Sequence, residues 1–350
     1  MIGRRLKMAR TARGLSMKQL AEQVKVSANM IKKYEHNESM PSSEVLLRLL
    51  DSLKVSIDFL FRPFQVDLGE VEFRKKSNTP QKLLNQITVD VTNQVERWLI
   101  LKELWMDFPI KSFVWDMSLP AINSFDDIEL IANKLRMHWK LGVNPIPNMI
   151  DLLETLGIIV IVSNVENIGY RFDGLQAVVS GLPIIVVSSF WTGDRQRFTL
   201  AHELGHLILQ NCSLPAGMDI EKACNRFAGA FLFPKSQILQ ELGNLRSRIM
   251  VRELSLLKQE YGISMAAILY RAKDLGIISD SYHKYVSIYF RKQGWHKQEP
   301  KLYASEQTHL FKQLVYRAVA EDIISEAKGA ELLDISVFEL MNWQNENSEA

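Results

Sequence analysis

His202-Glu203-Leu204-Gly205-His206 places two imidazoles four residues apart, with a carboxylate beside the first. On a helix four residues is about one turn, so both rings face the same way and can reach one metal ion. Glu203 then falls beside the ion's open position, where a general base would act on water. Phe198-Thr199-Leu200-Ala201 before the motif and Leu207-Ile208-Leu209 after it make this helix largely apolar, hence buried. A lone histidine on an apolar face is usually a core residue. Two at ligand spacing around a glutamate point instead to zinc.

A hydrolytic zinc site takes three protein ligands. Downstream lies Glu221 to Pro234, in which Ala223, Phe227, Ala230 and Phe231 have helical spacing and Pro234 marks the end. Glu221, on the first turn, is either the third ligand of a His-His-Glu set or a first-turn acid favoured by the helix dipole. Asn225, one turn on, is either a hydrogen-bond partner for a ligand imidazole or a capping or surface amide.

The stretch Asp194 to His206, followed by Glu221 to Pro234, resembles the ImmA/IrrE family of zinc metallopeptidases. Ala132-Asn133-Lys134-Leu135-Arg136, and Asn144-Pro145-Ile146-Pro147 with Leu152-Leu153-Glu154, are similar to that family's entry segment. Gly294 to Pro300 and Ile323 to Lys328 are similar to its longer bacterial members, so the likeness covers residues 120 to 342. It implies an endopeptidase that cuts regulatory proteins, often helix-turn-helix repressors. Gln210 departs from relatives that carry another histidine there, but it is not a presumed ligand. In the expected mechanism Glu203 takes a proton from water and passes it to the leaving amine. Tyr170, Tyr270 and His283 are candidates for stabilising the oxyanion. A rival expectation is a repressor or antitoxin whose zinc domain senses a signal or binds a partner without cutting. Glu203 argues for the enzyme, because a purely structural site closes its fourth position and needs no base.

Residues 1–65 read as five short helices. Ser16 caps the second with Gln19 at the capping-box position, Ser27 caps the third over Ala28–Glu35, and Ser43 and Ser56 open the fourth and fifth. Lys25-Val26-Ser27 is a turn short enough for a helix-turn-helix. Leu6, Leu20, Ala21, Val24, Ile31 and Leu47 are the expected core. Leu15 to Ala21, Val26-Ser27, Ile31, Tyr34-Glu35 and Met40-Pro41-Ser42 resemble the Xre/Cro family of repressor domains. The resemblance implies that the third helix enters the major groove of double-stranded operator DNA. Its outward positions are Ala28, Asn29, Lys32 and Lys33, suited to a thymine methyl, an adenine edge, and guanine or phosphate. Lys18 and the helix N-terminus at Ser27 are phosphate candidates.

Charge supports this division. The net charge is +2, but residues 1–65 hold twelve Lys/Arg against six Asp/Glu, and the remainder thirty against thirty-four. The basic excess of +6 is confined to the N-terminal segment, an electrostatic footprint for nucleic acid. There is no apolar run of membrane-spanning length and no signal-peptide core, and two cysteines, Cys212 and Cys224, suit a reducing cytoplasm. These cysteines flank the metal motif as a redox pair or, more simply, as two small core residues.

Residues 66–76 alternate like a short strand, and Thr79-Pro80 opens a long helix to Met106. Leu84, Val91, Trp98 and Trp105 fall seven apart on it, with Ile87 and Leu101 alternating and Gln94 interrupting. Such a seam either packs on the chain's own domain or pairs two copies; the expectation adopted is a homodimer. Helices at 126–141 and before Gly157, strands at 158–162, 174–179 and 183–188, and the two metal-bearing helices complete a minimal zinc peptidase layout. The expected fold is mainly α with a small β-sheet (α+β). It comprises a helix-turn-helix domain at 1–65, a linker strand and long helix at 66–120, a zincin-like core at 121–245 and a helical region at 246–350. Expected partners are operator DNA and a protein substrate or regulatory partner.

Overall fold

The computed structural model describes residues 2–62, 81–111, 113–114, 120–165, 172–179, 181–210 and 212–346. The expected strand at 66–76, the Thr79-Pro80 helix opening and Tyr170 lie outside the described residues.

The N-terminal module is α1 (Gly3–Ala12), α2 (Met17–Gln23), α3 (Ala28–Glu35), α4 (Ser43–Leu53) and α5 (Ile57–Phe61). Serines start four of them. Ser16, Ser27, Ser42 and Ser56 each accept from the backbone N–H three residues on, and Ser16 with Gln19 completes a capping box. Leu6, Leu20, Ala21, Val24 and Ile31 are buried as expected. Leu47 is not: it is 67% exposed, and Leu49 and Leu53 take the core positions. The inward stripe of α4 runs Leu46, Leu49, Leu50, Leu53, which puts Leu47 on the far side of the helix.

α6 (Gln81–Leu104) follows, then α7 (Phe125–His138), α8 (Met149–Thr155), β1 (Ile159–Ser163), β2 (Gly174–Val179) and β3 (Leu182–Ser188). The strand order is β1-β3-β2, with β1 parallel to β3 and β2 antiparallel to it. All seven residues of central β3 are buried, which explains its unbroken apolar run. Alternation divides the sheet between two cores. Val160, Ile185 and Val187 face one, with α7–α9 and the later helices; Ile159, Ile161, Ile184 and Val186 face the other, with α6.

The remaining helices are α9 (Gly193–Leu209), α10 (Ile220–Leu232), α11 (Lys235–Leu242), α12 (Val251–Tyr261), α13 (Met265–Asp274) and α14 (Asp280–Lys292), then α15 (Leu310–Ala320), α16 (Glu326–Leu333) and α17 (Val337–Glu346). α9 to α14 share the first core; α15 and α16 close the second over α6.

The α6 seam is internal, which removes the surface on which the dimer expectation rested. Ile87, Val91, Trp98, Leu101 and Trp105 are buried in the chain's own second core, against the sheet and α15. Leu83, not Leu84, is the buried leucine at its start. Buried positions run Leu83, Ile87, Val91, Val95, Trp98, Leu101, which is the spacing of a straight helix and not of a heptad supercoil. This seam is therefore not a free surface for a second copy.

Among the described residues no helix is long and apolar enough to cross a membrane.

Candidate metal centre and nucleic-acid face

α9 is buried almost all round; only Arg195 and Phe198 are not fully buried. Such a helix must place every polar side chain against a partner. His202, Glu203 and His206 are each about 5–6% exposed. α10 crosses α9 at Gly205, where a Cβ would stand 3.0 Å from the Phe227 ring and 3.4 Å from Cys224 Cα. The glycine inside the motif is thus what lets the two helices approach.

That approach brings Glu221 to the histidines. His202 Nε2 and His206 Nε2 lie 3.2 Å apart. Glu221 Oε2 is 3.4 Å from the first and Oε1 is 3.3 Å from the second. Ligands held ~2.0–2.1 Å from one tetrahedral ion stand about 3.3–3.4 Å apart, so this donor set fits zinc with one position left over. The Glu221 side chain is 52% exposed, so the cluster opens to solvent on that side. Asp219 caps α10 by accepting from the Glu221 backbone N–H at 2.9 Å.

Asn225 Oδ1 is 3.0 Å from His202 Nδ1. An amide oxygen only accepts, so Nδ1 carries the hydrogen and Nε2 presents its lone pair to Glu221 and His206. Glu203 lies under the first residue of β2: a Cβ on Gly174 would meet Glu203 Cγ at 3.5 Å and Thr199 Cγ2 at 2.4 Å. Among the described residues β2 is an edge strand, and its first residue, Gly174, lies against α9.

A cavity of about 520 Å³ is lined by Asn225, Phe198 and Tyr270 among others, but by none of His202, Glu203, His206 and Glu221. Tyr270 is half-exposed and stacks edge-on to His283 at 5.7 Å. His283 is not among the lining residues, and burial lowers its pKa. Cys224 is buried and Cys212 half-buried, and burial pushes the Cys212 thiol up, away from reactive thiolate.

Sequence reasoning assigned no role to the buried charges that hold α9. Lys258 Nζ lies 3.1 Å from Asp194 and 3.0 Å from Glu299. Arg197 pairs with Glu306, which also accepts from Met149 and Ile150 N–H at the start of α8. Glu299 likewise accepts from Met265 and Ala266 N–H at the start of α13. The segment carrying both glutamates thus ties three helix starts together. The one available signal was an acid and a base, Asp194 and Arg197, inside a buried helix, where unpaired charge is not tolerated.

On the N-terminal module Lys18, Ser27, Ala28, Asn29, Lys32 and Lys33 are all exposed. The Ser27 hydroxyl is engaged in capping α3. Arg10 grips Glu35 with two hydrogen bonds, fixing α1 against α3.

Residues 6–60 match a helix-turn-helix model, and residues 153–273 match the IrrE N-terminal-like domain. α3 lies in the first and the His-His-Glu cluster in the second. ImmR, an HTH-type transcriptional regulator of Bacillus subtilis, is 35% identical over 85 residues, 24% of this chain and 60% of ImmR. The SPbeta prophage-derived HTH-type transcriptional regulator YonR of Bacillus subtilis is 30% identical over 109 residues, 29% of this chain and 96% of YonR. The chain belongs to the HTH-type transcriptional regulators. The regulator spans 60% of the length of ImmR, so ImmR as a whole is not represented in the match. Among solved structures, Bacillus thuringiensis PlcR with a bound peptide and DNA aligns over 98% of the regulator and 97% of PlcR. At 13% identity and a TM-score of 0.17, that likeness carries no weight for fold or function.

Proposed function

We propose that the regulator is a zinc-dependent endopeptidase joined to an operator-binding module, acting in the cytoplasm on a regulatory protein partner. The observation that carries the reading is the convergence of His202, His206 and Glu221 at tetrahedral-edge separations beside a buried Glu203. The chemistry that zinc supplies there is Lewis acidity, which acidifies a water molecule and polarises the scissile carbonyl. Glu203 takes the water proton and delivers it to the leaving amine. Asn225 holds His202 in one tautomer. The outer edge of β2 receives the substrate as an added strand, with backbone hydrogen bonds giving affinity. Tyr270 stays a candidate for contact with substrate because it shares a cavity with Asn225.

The module spans residues 1–65 in this proposal and α6 falls in 66–120. The catalytic unit begins at 121 and includes the helices past 246 that share its core. Lys18, the start of α3 at Ser27, Ala28, Asn29, Lys32 and Lys33 make the DNA contacts, with Asn29 reading a base edge.

The test is capture of substrate. Glu203→Gln keeps the ligands and removes the base, so the tagged variant should retain a protein that the unmodified chain cuts. If the captured protein stays intact when incubated with zinc-loaded unmodified chain, the non-cleaving sensor reading replaces this one.

A further inference from the structure

The N-terminal module is docked on α6 by buried polar contacts. Arg5 and Glu96 pair across the junction with side chains 1% and 0% exposed. Gln86 Nε2 donates to the Ala12 carbonyl at 3.2 Å, and Val89 enters the module's core. Beside these contacts lies a cavity of about 300 Å³. Its walls come from the ends of α1 and α4, from the polar face of α6, and from the end of β1 with Asp334. Nothing in the metal chemistry or in the DNA face uses it.

Its lining is cationic: Arg13, Lys54, Arg62 and Arg97 stand against Asp90 and Asp334. The two acids are engaged. Asp334 pairs with Arg97, and Asp90 accepts from Ser163 Oγ and Gln94. Arg13 donates from Nε to the Leu53 carbonyl, and neither it nor Lys54 has a carboxylate partner among the described residues. Three buried atoms on the wall also lack a hydrogen-bond partner among the described residues: Arg62 Nη1 and Arg97 Nε, donors, and Asn93 Oδ1, an acceptor. The Arg62 side chain is 6% exposed, held by Glu331 through Nε alone. Leaving such groups buried and unmet is costly, so a built cavity around them calls for a ligand of matching pattern.

We propose that this cavity binds a small metabolite bearing an oxyanion, phosphate or carboxylate, and at least one hydroxyl donor. The guanidinium ends of Arg62 and Arg13 take the oxyanion, for which planar forked donors are suited. The hydroxyl donates to Asn93 Oδ1. The volume is at the small end of ligand pockets, which excludes a peptide or a nucleic-acid strand. Because the walls belong to the DNA module, to α6 and to the sheet of the catalytic core, the occupant braces one half of the molecule against the other. The site is independent of the zinc and operator readings.

The experiment is calorimetry and thermal unfolding of the full chain with ribose 5-phosphate, citrate and inorganic phosphate as probes, at constant ionic strength in chloride. Ribose 5-phosphate and citrate separate the phosphate from the carboxylate source. Saturable one-to-one binding of at least one of these two, with a raised melting temperature, is expected. Asn93→Leu, which removes the acceptor at nearly the same size, and Arg62→Gln should each weaken it about tenfold or more. Both variants are first checked for an unchanged circular dichroism spectrum. If one does not fold, the other decides. The doubly substituted Lys32→Ala, Lys33→Ala chain should bind the probe as the unmodified chain does, since those lysines lie on the DNA face. The proposal is overturned if neither organic probe binds saturably up to about 10 mM. It is also overturned if binding survives Asn93→Leu and Arg62→Gln, or if it is lost with the two lysines.

Discussion

His202 Nδ1 donates to Asn225 Oδ1 across 3.0 Å, so one residue of α10 orients the imidazole while Glu221, one turn earlier on the same helix, faces its other nitrogen. The α9–α10 contact therefore brings the three side chains together and orients one of the imidazoles.

Asn225→Ala removes that orientation without touching a ligand. Zinc affinity should fall by about 10–100-fold, as for other partners of ligand histidines. Competition with a chromophoric chelator measures it. Unchanged affinity would mean that Asn225 is only a surface amide.

Lys258→Met leaves Asp194 and Glu299 buried without their shared cation. Breaking a buried ion pair by removing one partner costs about 3–5 kcal/mol. The unfolding midpoint in urea should drop accordingly, and the start of α9 should lose hydrogen-exchange protection first. A cost within about 0.5 kcal/mol would show that these charges do not hold the helix.

Glu154 is 3% exposed, and burial, with Asp151 nearby, pushes its carboxyl up to about 8. The backbone N–H of Leu310 acts the other way. Between the ordinary value of about 4.5 and 8 the folded chain keeps a proton that the unfolded chain releases. Stability contributed by the neutral carboxyl is therefore full below pH 4.5 and is lost as pH rises through 8. Glu154→Gln should remove that slope and stabilise the protein at pH 8 by on the order of a few kcal/mol. Thermal unfolding from pH 5 to 8 checks it; identical slopes in the two proteins would contradict it.

What could be read in advance follows from range. α3 was legible to the residue because Ser27 and the turn before it are local signals. The convergence of His202, His206 and Glu221 was legible because two share one helix and the third opens the next apolar helix. The α6 seam was misread because Leu84, Val91, Trp98 and Trp105 happen to fall seven apart, while the helix buries a 3.6-residue stripe against strands some sixty residues or more along the chain, a contact that no local pattern signals. Leu47 was misplaced by one position on a short, leucine-rich helix. Lys258–Glu299 and Arg197–Glu306 join residues 41 and 109 apart, and no local rule pairs such charges. The cavity between the module and α6 needs both halves assembled.

The central claim is that His202, His206 and Glu221 hold one zinc with a position to spare, and metal analysis of purified protein tests it most directly. About one zinc per chain is expected in the unmodified protein and in Glu203→Gln, with loss in His206→Ala and weakened retention in Glu221→Ala. Zinc content in His206→Ala equal to that of the unmodified chain, or no zinc in either after refolding with the metal, would contradict the account.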